Sequence, residues 1–98
     1  MAPDERIAVE RVQTGVRMEK RMVKVLKGLA EYYDVTLGDL LEGIVLHAFE
    51  GKSPFAEASL ARIRELKRFY GLNLGSAASH RLTELGAPRP AARARKRG

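Results

Sequence analysis

In residues 11–18, RVQTGVRM, apolar or β-branched positions (Val12, Thr14, Val16, Met18) alternate strictly with polar or small ones (Arg11, Gln13, Gly15, Arg17). A period of two marks a β-strand with one buried face. Everything after it repeats at helical spacing. A lone strand leaves both edges unpaired, and even an isolated hairpin is marginal in water. The segment therefore predicts a partner strand that the rest of the chain does not offer.

The next run, EKRMVKVLKGLAEYY, places Met22, Leu26, Leu29, Ala30 and Tyr33 on one helical stripe, widened by Val23 and Val25. Lys20, Lys24, Lys27 and Glu31 fall on the other side. Gly28 in mid-helix costs ~1 kcal/mol relative to Ala, so it either admits a close neighbour or is simply tolerated. DVTLGDLLEGIVLHAFEG predicts a second helix. Thr36 is a good N-cap, Asp39 completes a capping-box-like pair, and Val35 with Leu40 forms a hydrophobic staple. Leu37, Leu40, Leu41, Ile44, Val45, Ala48 and Phe49 then make an apolar face too wide for one neighbour, and Gly51 ends the helix. In the third segment Ser53 is the expected cap, Pro54 the first helical position and Gly71 the stop. Phe55, Leu60, Ile63, Leu66 and Phe69 or Tyr70 form its stripe. NLGSAASHRLTELG predicts a short fourth helix over about residues 76–85. Residues 1–10 read as a flexible arm, and APRPAARARKRG, residues 87–98, as a disordered basic tail.

Length and charge sharpen this picture. A chain of 98 residues makes one domain and buries only roughly 60–65% of its unfolded surface, so a core shared between subunits is favoured. The net charge of +6 is segregated: residues 6–27 carry seven basic groups against two acids, and residues 28–50 carry five acids with no Lys or Arg. From residue 51 onward, eleven basic groups face three acids. Positive charge on the strand, at the start of the first helix and in the C-terminal half favours a polyanionic partner. With no cysteine, disulfides, thiolate catalysis and Cys-based metal sites drop out. No apolar run approaches a signal peptide or a membrane span, so a cytoplasmic location is expected, nucleoid-associated in a bacterium if DNA is the partner.

One strand with a cationic polar face, followed by two amphipathic helices and a tight turn, resembles the ribbon-helix-helix family of DNA-binding proteins, the Arc/MetJ type, over about residues 11–50. The resemblance implies a mainly α fold in which the strand pairs antiparallel with its copy in a second subunit. The resulting ribbon enters the major groove. It implies a ribbon-helix-helix domain at 11–51, and the helical pattern beyond it makes residues 52–86 a C-terminal helical extension. Val12, Thr14, Val16 and Met18 would face the dimer core, joined by Leu26, Leu41, Ile44 and Val45. Gln13, Gly15 and Arg17 would face the bases. Arginine bonds guanine O6 and N7, and glutamine adenine N6 and N7, each contributing roughly 1–3 kcal/mol of discrimination. Gly15 departs from a polar reader. The family also anchors phosphate at the N-terminus of its second helix, here Thr36, Leu37 and Gly38, with Arg11, Lys20 and Arg21 as further phosphate candidates. Asp34 stands where family members often have glycine, and Asp39 puts a carboxylate beside the anion seat.

The implied function is a homodimeric repressor that binds double-stranded DNA, with higher-order assembly on DNA left open, and that needs no cofactor or metal. His47 and His80 have no companion at metal-ligand spacing, and no phosphate loop or nucleophilic set is present. Enzymatic activity is therefore not expected. Glu57, Glu65 and Glu84 read as partners in surface pairs. Two alternatives stay open: an antitoxin whose C-terminal region wraps a toxin protein, and an all-helical interaction module that binds no DNA.

Overall fold

A computed structural model describes residues 6–86. The fold is mainly α: helices α1 (Lys20–Tyr33), α2 (Leu37–Phe49) and α3 (Glu57–Tyr70) are followed by one 3₁₀ turn at Ser76–Ala78. The proposed 87–98 tail lies outside the described residues, as does the first half of the proposed arm.

Helix α1 starts where the Glu19 carboxylate accepts from the Met22 amide at 2.9 Å, satisfying one of the free first-turn donors. It ends at Asp34, whose backbone is left-handed (φ 58°, ψ 45°), with the Val35 amide donating to the Ala30 carbonyl at 3.0 Å. A left-handed residue closing a helix is usually glycine, because a Cβ is strained there. Asp34 therefore carries backbone strain that a glycine would not. Helix α2 begins as its sequence predicts: Thr36 Oγ1 accepts from the Asp39 amide at 3.0 Å. Beyond it, Gly51 is left-handed (φ 70°), and the Lys52 amide donates back to His47 O at 2.9 Å.

Two expectations for the C-terminal half are corrected. Helix α3 opens at Glu57 with Ala56 as N-cap and no side-chain cap, not at Ser53–Pro54. The Ser53 hydroxyl is taken up locally, donating to Phe55 O at 3.2 Å, and such turns compete with helix initiation. The fourth helix shrinks to the 3₁₀ turn at Ser76–Ala78. His80 then takes a left-handed backbone (φ 66°), and Leu82 and Leu85 are exposed, so no packed face holds a longer helix.

Helix α1 packs chiefly on α3, antiparallel, and less on α2. The Tyr33 hydroxyl meets Ser59 Oγ at one end, and the Lys24 ammonium lies 5.8 Å from the Tyr70 ring at the other. Between them, Gly28 admits Leu66, so close approach is the reading that holds. The buried core is Val25, Leu29, Ala30 and Leu72. An open apolar groove of about 360 Å³, lined among others by Leu26, Leu29, Ile44, Ile63 and Leu72, runs between the helices and the segment after α3. Helix α2, the most apolar of the three, buries no residue fully.

The predicted strand is absent as a strand. Among the described residues there is none, and residues 6–18 make no backbone–backbone hydrogen bond. The reason is geometric: a strand exists through its ladder, and among the described residues none pairs its backbone with this segment.

Candidate nucleic-acid interface

Two arginines of the arm before α1 tie it to the rest of the chain, Arg11 to α2 and Arg17 to the segment after α3. Arg11 donates from Nε to Glu42 Oε2 and from Nη2 to Glu42 Oε1, both at 2.8 Å. Arg17 makes the same fork with Glu84, its Nε lying 3.2 Å from Oε1 and its Nη2 donating to Oε2. Each fork is a charge-assisted, two-point contact. The pairing raises the pKa of both arginines, first through the side-chain hydrogen bond and then through the carboxylate charge. The Arg11 hydrogen bond holds the Glu42 carboxyl below the usual carboxylate range.

Arg11 therefore sits against α2, near enough to Asp39 to feel its charge. Among the described residues the Leu37 and Gly38 amides donate to no protein acceptor, as is usual in a first turn, while Thr36 Oγ1 is spent on Asp39 N.

Arg21 is drawn inward. Its Nε bonds Glu19 Oε2 at 3.0 Å, and its Nη1 donates to Gly71 O at 2.9 Å, tying the start of α1 to the end of α3. Glu19 itself is held below its ordinary pKa, first by the Met22 amide and further by Arg21. Lys20, Gln13 and Gly15 are exposed. A Cβ added at Gly15 would meet open space, so the structure shows no steric demand for glycine there.

Most of the residues assigned to a dimer core stand exposed within one chain. Val12 and Val16 are 84% and 76% exposed, and Thr14, Met18 and Val45 are exposed as well. Leu26, Leu41 and Ile44 are half-buried, and Leu26 and Ile44 share the apolar groove. Of the three acids read as surface partners, Glu65 pairs with Arg62 at 2.9 Å and Glu57 with Arg64 at 3.7 Å along α3. Sequence reading missed that the two arm arginines take Glu42 and Glu84. Those partners lie 31 and 67 residues away, and no local pattern encodes them.

His47 is exposed, and its Nδ1 and the Gly43 carbonyl one turn back are 2.7 Å apart. No helix is long and apolar enough to cross a membrane, and no cluster of potential metal ligands occurs among the described residues. Compared with known proteins, the chain matches no family model, no curated protein and no solved structure.

Proposed function

We propose that the protein is a sequence-specific DNA-binding homodimer of ribbon-helix-helix type that represses transcription by placing a two-stranded antiparallel ribbon in the major groove. The observation that carries this reading is a pair of unfinished surfaces. The alternating apolar residues of the arm stand in solvent, with Val12 84% exposed, while α2 buries none of its apolar face completely. Exposed apolar surface of this extent marks an interaction site, and a second copy completes both surfaces at once. Its arm supplies the missing ladder, and its helices fill the groove beside Leu26 and Ile44.

Chemistry supports DNA as the ligand. Gln13 and Arg17 share the polar side of the arm, and both suit base edges in a major groove wide enough for a ribbon. Lys20, the first-turn amides of α2, and Arg11 supply phosphate contacts that set register.

The test is selection of bound fragments from genomic DNA at physiological salt, comparing the wild type with a Gln13→Ala/Arg17→Ala variant. A short repeat enriched by the wild type and lost by the variant, with weak binding retained, is the expected result. Identical enrichment by the two proteins overturns ribbon readout.

A further inference from the structure

The carboxylate on Arg17 engages one edge of the guanidinium and leaves the other free. Arginine carries five N–H donors, one on Nε and two on each Nη. Glu84 takes Nε–H and one Nη2–H. Both Nη1–H groups and the outer Nη2–H remain, and the outer hydrogens of Nη1 and Nη2 form the end-on fork that matches guanine O6 and N7. Arg11 presents the same arrangement: Glu42 occupies Nε and Nη2 and leaves Nη1 unengaged by it. Two arginines of the arm, each held through the same edge by a glutamate far along the chain, form a repeated device and not a single chance pair.

We propose that Glu84 is a positioning residue that fixes the Arg17 guanidinium for guanine recognition, making the segment after α3 a determinant of base specificity. This deepens the ribbon reading and rests on it. The physical effect has two sides. An arginine 82% exposed on a flexible stem samples many rotamers, and a second-point contact removes most of them before DNA arrives. The same carboxylate cancels one positive charge near phosphate, which lowers affinity for every sequence alike. Glu84 should therefore sharpen discrimination while weakening overall attraction.

The experiment is fragment selection from a randomised DNA library by wild type, Arg17→Ala, Glu84→Ala and Glu84→Gln, with the base preference read position by position. Nonspecific affinity is measured in parallel on an unselected duplex across a salt series. Arg17→Ala should abolish one guanine preference per half-site. Glu84→Ala should weaken that same preference about tenfold, within the range a bidentate pair contributes, while nonspecific affinity stays level or rises. Glu84→Gln keeps one acceptor and should fall between. If Arg17→Ala enriches the same sequences as wild type, Arg17 reads no base and the proposal fails, while the ribbon reading is decided separately by the Gln13→Ala/Arg17→Ala variant. If Arg17→Ala loses the guanine and Glu84→Ala keeps it, the ribbon reading stands and the positioning role is overturned. A Glu84→Ala variant that binds all sequences more tightly with its preference intact shows a competing latch, and this too overturns the proposal.

Discussion

Gly28 of α1 lies directly beneath Leu66 of α3: a Cβ added at position 28 would stand 3.0 Å from the Leu66 Cδ2. The two helices approach as closely as they do because one residue has no side chain. Gly28→Ala gains roughly 1 kcal/mol of helix propensity but forces the Leu66 side chain to give way, so its net effect should lie near zero. Gly28→Leu should destabilise by about 1–3 kcal/mol, the usual cost of overpacking. Urea denaturation of both variants checks this ordering.

Asp34 closes α1 in the left-handed region. Relief of about 1–2 kcal/mol of strain on substitution by glycine is partly offset by the greater freedom of an unfolded glycine. Asp34→Gly should therefore raise stability by about 0.5–1 kcal/mol. A lower melting temperature for this variant would mean that the aspartate side chain contributes more than its backbone costs.

Thr36 caps α2 through Oγ1 to the Asp39 amide at 3.0 Å. Thr36→Ala should cost about 1 kcal/mol, whereas Thr36→Ser should cost little. Because Oγ1 is already committed, Thr36→Ser should also leave DNA affinity unchanged, as measured by fluorescence anisotropy.

The Arg11 contact holds the Glu42 pKa below its ordinary value. A depressed folded pKa gives stability that is present above the unfolded carboxylate value, about 4.3. That stability is lost as pH falls through the depressed folded value. The arm should therefore detach from α2 only in acid below that range. An NMR titration of the Glu42 carboxyl, with Arg11 Nε–H exchange as the reporter, should show a midpoint under that of free glutamate. A midpoint at or above it would mean that the fork does not persist in solution.

How far the chain can be read from its sequence depends on how local each signal is. Helices α1 and α2 are legible because apolar spacing, Thr36 and Gly51 encode them within a few residues. The start of α3 is not, because the Ser53 hydroxyl suits a turn as well as a helix cap, and the turn takes it. The 76–85 segment has helical-looking spacing in Leu82 and Leu85, but both residues are exposed and no packing rewards the helix. Arg11 and Arg17 are legible as cations on one side of the arm. Their carboxylate partners are not, since a contact across 31 or 67 residues exists only after the helices pack. The strand at 11–18 is a different case. Its pattern is visible in the sequence, but no described residue pairs with its backbone, and in the proposed reading the ladder comes from a second chain.

That second chain is the central claim, and the absence of cysteine makes it directly measurable. Single cysteines placed in turn at residues 12 to 17 would be oxidised under mild conditions and the covalent dimer quantified. In an antiparallel ribbon, facing Cα atoms lie about 4.5–5.5 Å apart, within the span of a disulfide, and only residues at the two-fold axis face their own copy. Asn73→Cys, at an exposed position after α3, serves as the control. The expected result is a sharp cross-linking maximum at one or two adjacent positions within residues 12–17, with little covalent dimer from the control. Uniformly low cross-linking along the arm, or a yield no higher than that of Asn73→Cys, would contradict the two-stranded ribbon and the DNA reading built on it.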